Sequence, residues 1–199
     1  MKPQEQPKEH PSLGSRARLR KVAKHEAGHL LLNWLLGNRP CGAFILDNGE
    51  AFTMSERVND TLVAIGLLKV AGFVAGCEKR NLRSIRANWN RPQKFAREND
   101  CFWVTSAAQH ALDNLGDNLG WLFVEAVIRT VEEACQTYSQ ELEELSDTLK
   151  MNGYIKYPEA ETLFSAMDQK YKIKCPDWIV DRCFDYVEIV AKEHMELLG

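Results

Sequence analysis

The chain has 199 residues, 45% of them hydrophobic, enough to bury a substantial core in one domain. Its 25 Lys and Arg against 28 Asp and Glu leave a net charge of -3, so no global electrostatic case for nucleic acid exists. The six cysteines (Cys41, Cys77, Cys101, Cys135, Cys175 and Cys183) form no CxxC pair and no dense framework, which favours free thiols in a reducing cytoplasm.

Residues 1–15 are polar, carry three prolines and lack the apolar stretch of a signal peptide, so a disordered tail is expected. A helix is predicted from Ser15 or Arg16, ending at Gly37-Asn38-Arg39-Pro40. It carries His25-Glu26-Ala27-Gly28-His29, a motif of HExxH form. On a helix, residues four apart lie one turn apart on the same face, so His25 and His29 can reach a single metal ion. Glu26 projects about 100° round the helix, beside the metal, where it can take a proton from activated water. The apolar runs Leu30-Leu31-Leu32 and Trp34-Leu35-Leu36 draw this helix into a core.

Gly42–Leu46 and Ala51–Met54 flank Asp47-Asn48-Gly49, a hairpin turn signal, so a small β-hairpin is expected. An apolar helix follows near Val58–Glu78. Its stretch Thr61–Cys77 is apolar except at Lys69 and contains Gly72-x-x-x-Gly76. It is short for a membrane span, and a mid-helix Lys costs about 2.5–3.5 kcal/mol on insertion. It reads as a buried core helix, its small residues allowing close packing. The basic stretch 79–97 (Lys79, Arg80, Arg83, Arg86, Arg91, Lys94, Arg97) reads as a solvated loop over the site; nucleic acid is the less favoured reading.

Asn99 or Asp100 caps a predicted helix through Phe102, Val104, Ala107, Ala108, Ala111 and Leu112, closed by Gly116. A long amphipathic helix is expected through Val127, Val131, Ala134, Tyr138, Leu142, Leu145 and Leu149, its acidic run Glu132–Asp147 forming a solvated face. Pro158 and Pro176 stand where they can open helices. The last helix is expected to bury Trp178, Ile179, Cys183, Phe184, Val187 and Val190. The fold class is therefore mainly α with one small hairpin: a tail over 1–15, a helical domain over 16–170, and a C-terminal helix within 171–199 packed on the same domain.

A catalytic zinc takes three protein ligands and keeps one position open. The compact continuation HExxHxxGxxH fails, because residues 32 and 35 are both leucine. A distant Asp, Glu, His or Cys must complete the set. Here Ala23-Lys24-His25-Glu26-Ala27-Gly28-His29 and its apolar continuation resemble the start of the peptidase domain of FtsH-type zinc metalloproteases. That family takes its third ligand from an aspartate in an Asn-Asp-Leu-x-x-Ala-Thr segment, and Asn99-Asp100-Cys101-Phe102-Trp103-Val104-Thr105 is similar to it. The resemblance implies Asp100 as the third ligand, ahead of Asp60 and of Glu98 and Cys101, which flank Asp100 but face away from it on a helix.

Val70–Gly76 is similar to the family's Gly/Ala-rich helix, with Phe73 and Gly76-Cys77 replacing its usual Arg and paired Glu. Lys94–Glu98 replaces its Thr-Thr-Gly-Ala lead into the aspartate segment. Leu142–Glu161 is similar to the closing helix, turn and final short helix, so the likeness spans roughly residues 20–165. No Walker motif occurs, so the ATPase that feeds this peptidase is missing from the chain. The resemblance implies a zinc-dependent endopeptidase; without its own unfoldase it is expected to cut unfolded or small proteins, and the scattered cysteines point to the cytoplasm. An ATPase or adaptor in trans and an oligomer are left open; no membrane span is expected. The alternative is a catalytically silent, FtsH-like binding or regulatory protein that retains the zinc site.

Overall fold

A computed structural model of the chain describes residues 13–56, 61–76, 120–172 and 177–198. The described residues are mostly helical. Six helices, α1 (Leu13–Leu35), α2 (Leu62–Gly76), α3 (Gly120–Thr137), α4 (Ser139–Asn152), α5 (Glu159–Tyr171) and α6 (Asp177–Leu198), accompany a small sheet of β1 (Arg39–Ile45), β2 (Ala51–Glu56) and β3 (Tyr154–Lys156). All pairings are antiparallel in the order β2-β1-β3.

The central helix α1 is stopped by glycine chemistry. Gly37 takes φ +68°, a left-handed conformation open to a residue without Cβ, and its N–H reaches back to Trp34 O. Asn38 Nδ2 donates to Asn33 Oδ1 and Asn33 Nδ2 donates to His29 O, both at 2.9 Å, so buried amides tie the helix end to the turn that carries His29. At the other turn, Gly49 at φ +82° follows Asn48, whose Oδ1 accepts from Glu50 N at 2.9 Å.

The predicted hairpin is present as β1 and β2, but the sheet has a third strand. Gly153, at φ +76°, caps α4 through its N–H to Leu149 O and turns the chain onto β1, where Ile45 N donates to Gly153 O at 2.7 Å. Three residues of strand are too few to show a period-2 pattern in sequence. The expected long helix is likewise two helices, α3 and α4, meeting at Tyr138. Tyr138 is buried against Trp34, Tyr171 and Trp178 at ring separations of 5.2, 4.9 and 6.2 Å, so aromatic packing sets the junction.

Helix α1 packs on α2, α4 and the sheet, and α6 packs on α3. The core gathers Leu30, Leu31, Leu32, Leu35, Leu36, Leu67, Val127, Ile128, Leu149 and Ile155. Among the described residues no helix is long and apolar enough to cross a membrane. Two expectations about burial fail. Phe184 is 55% exposed on α6 rather than buried, and Glu141, on the supposedly solvated acidic face, is 3% exposed. Lys170 and Tyr171 of α5 cover Glu141 and hydrogen-bond its Oε1.

Candidate active site

The close approach of α1 to α2 builds the site. Gly28 on α1 faces Ala71 and Ala75 on α2 so tightly that a Cβ at 28 would lie 2.5 Å from Ala75 Cβ and 2.7 Å from Ala71 O. Gly76 sits against His25, where an added Cβ would be 3.3 Å from His25 Cβ. Small residues on both helices thus let the imidazoles of His25 and His29 rest against the α2 backbone.

The two rings stand at 72°, with their Nε2 atoms 3.1 Å apart. Both nitrogens cannot be protonated at that separation, since two N–H groups would point at each other. Two imidazole nitrogens sharing one tetrahedral zinc, at about 2.0–2.1 Å each, lie about 3.3 Å apart, close to the separation seen. Gly72 lets the rings sit there: a Cβ at 72 would fall 2.4 Å from His29 Nε2 and 2.5 Å from His25 Nε2, so glycine is what admits both imidazoles against α2. The spacing of the two nitrogens fits two ligands of one zinc ion.

Glu26 is 4% exposed and directed to the sheet. Thr53 Oγ1 donates to Glu26 Oε2 at 2.7 Å and lies 3.3 Å from Glu26 O. The strand period explains why Thr53 faces α1: Ala51, Thr53 and Ser55 are partly buried while Phe52, Met54 and Glu56 are exposed. Sequence reasoning missed Thr53 because the flanking Phe52 and Met54 suggest an inward apolar face. The signal was the alternation itself, read from the other phase.

A cleft of about 330 Å³ opens beside these groups, lined among the described residues by Lys21, Val22, His25, Glu26, Gly49, Ala51, Phe73 and Gly76. Burial pushes the thiol of Cys135 up to about 12 and that of Cys183 up to about 11, so neither is a thiolate nucleophile at neutral pH.

His25 and Glu26 thus line the cleft, and His29 stands against His25 one helical turn on. The expected third ligand, Asp100, and the competing Asp60, Glu98 and Cys101 lie outside the described residues, as do the basic stretch 79–97 and the helix expected after Asp100. Among the described residues no group of three or more His, Cys, Asp or Glu side chains is placed to hold a metal. In comparisons with known proteins, no family model matches the chain and no curated protein matches it.

Proposed function

We propose that the protein is a zinc-dependent endopeptidase acting on unfolded or small polypeptides. The observation that carries this reading is the pair of Nε2 atoms 3.1 Å apart, the separation of two ligands on one zinc, with Glu26 lining the cleft next to His25. His25 and His29 would hold the zinc, and Asp100 is the third ligand that the resemblance to FtsH-type peptidases implies. When bound, zinc supplies Lewis acidity that polarises a carbonyl and brings the pKa of water toward about 7.

The chain's own groups do the rest. Glu26 takes the proton from the attacking water and passes it to the leaving amine. Thr53 occupies Oε2 and fixes the carboxylate's orientation, so the proton is exchanged without a search through rotamers. Strand β2 is an edge of the sheet and is tied to Glu26 by Thr53. An extended peptide adding to that edge would run beside the general base. A cytoplasmic location and delivery of substrates by an ATPase in trans belong to the same proposal.

The test is zinc content together with cleavage of an unfolded protein, for wild type and Glu26→Gln. Both proteins are expected to hold about one zinc per chain. Only wild type should cut, in a chelator-sensitive way. Zinc in both without cleavage by either, with an ATPase partner also failing to restore it, identifies a silent zinc-binding protein instead.

A further inference from the structure

The face of α1 that carries the histidines continues toward the helix N-terminus with a different chemistry. Arg18, Val22, His25 and His29 fall within about 60° of helical arc, and Lys21 lies next to them. Val22, Phe73 and Ala51 give the cleft apolar walls, and Lys21 stands at its rim, exposed. Arg18, also exposed, reaches the hairpin turn: its guanidinium atoms lie 3.3–3.6 Å from where a Cβ at Gly49 would sit.

These two cations are not neutralised by the described chain. The nearby Lys24 is paired with Glu143 of α4, and Glu50 on the hairpin accepts from Asn48 Nδ2 at 2.9 Å. Among the described residues no salt bridge engages Arg18 or Lys21. Helix α1 has no acidic residue in its first turn, and the positive end of its dipole lies on the same side.

We infer that the cleft takes an apolar side chain of the polypeptide substrate, and that Lys21 and Arg18 bind carboxylates farther along the same substrate chain. The inference rests on the peptidase reading and names its substrate class: unfolded segments in which an apolar residue neighbours acidic ones. The spacing follows from helix geometry. Lys21 and Arg18 lie about 6 and 10.5 Å along the axis from His25. An extended peptide covers those lengths in about two and three residues. The charges are exposed, so their effect is a selection among substrates and not the bulk of the affinity.

The experiment uses the full-length, zinc-loaded Glu26→Gln protein, which retains substrate without turnover. Fluorescence anisotropy follows three labelled peptides with a central leucine flanked by glutamate, glutamine or lysine. The glutamate peptide should bind about three- to tenfold more tightly than the glutamine one, with the gap closing as salt rises. Adding Arg18→Glu and Lys21→Glu should reverse the order, while circular dichroism shows an unchanged fold. Equal affinities for the three peptides, or an order unchanged by the charge reversal, overturn the inference. So does a single-stranded oligonucleotide that displaces the glutamate peptide and binds more tightly through the same two cations. Cleavage by wild type separates the two claims: cutting without charge preference removes the inference and leaves the peptidase. Charge-selective binding without cutting removes the peptidase and leaves the binding surface.

Discussion

Gly72 and Thr53 are the residues on which the candidate chemistry depends without taking part in it. In a helix, Gly→Ala raises intrinsic stability by about 1 kcal/mol, so Gly72→Ala should not weaken α2 itself. The new methyl would instead occupy the space 2.4–2.5 Å from both Nε2 atoms. Zinc affinity should therefore fall by about tenfold or more, read by competition with a chromogenic chelator, while helix content stays at the wild-type level. Thr53→Val keeps the shape and removes the donor to Glu26 Oε2. It should lower kcat by about tenfold or more with zinc content unchanged, and Thr53→Ser should restore the rate. A rate restored by valine as well as by serine would make Thr53 a packing residue only.

At the scale of elements, the α1–α2 contact is the joint that brings the site together. Gly28→Ala would place a methyl 2.5 Å from Ala75 Cβ and 2.7 Å from a backbone oxygen, neither of which can swing away. The helices must separate, at a cost of about 1–3 kcal/mol, visible as a lower urea midpoint. The α3–α6 contact is held differently. Arg129 of α3 donates to both carboxylate oxygens of Glu193 on α6, at 3.0 and 2.8 Å, and to Glu125 at 2.9 Å. The bond to Glu193 outweighs the effect of burial and holds Arg129 above its ordinary pKa. Because Glu193 is half exposed, Arg129→Gln should cost only about 0.5–1 kcal/mol, seen in the same titration.

At the scale of the molecule, stability depends on pH through carboxylates held in the native state. Burial acts to raise the pKa of Glu141, but hydrogen bonds from Lys170 and Tyr171 outweigh it and keep the carboxyl below its ordinary value of 4.5. Glu133 is lowered in the same way, burial opposing and the bonds from Arg182 and Tyr186 prevailing. A depressed folded pKa means that the unfolded chain takes up protons first as pH falls. The stabilisation is therefore complete above the unfolded value and is lost as pH drops through the folded one. Urea midpoints measured from neutral pH to about pH 3 should fall in the acid range, and Glu141→Gln should flatten that fall. An equal slope in the variant would assign the acid sensitivity to other groups.

What the sequence by itself determined is what depends on local period and local punctuation. The four-residue spacing of His25 and His29, the helix stop at Gly37 and the turn at Gly49 are properties of a few consecutive residues, and each stands where the pattern placed it. The apolar run of α2 likewise declared a core helix. Tertiary structure decided whatever depends on residues far apart in the chain. Glu141 reads as one acid in a solvated row until Lys170 and Tyr171 arrive from α5. Phe184 reads as core until the burial of Ile179, Cys183 and Val190 selects a face of α6 that leaves it out. Strand β3 is too short to declare itself and exists because β1 offers it an edge. Gly72, legible only as half of a helix-packing pair, became the residue that faces both imidazoles, and Thr53, legible as nothing, became the partner of Glu26. Spacing along one helix can place two nitrogens on a common face; only the packing of a second helix and a strand edge against it can decide what stands opposite them.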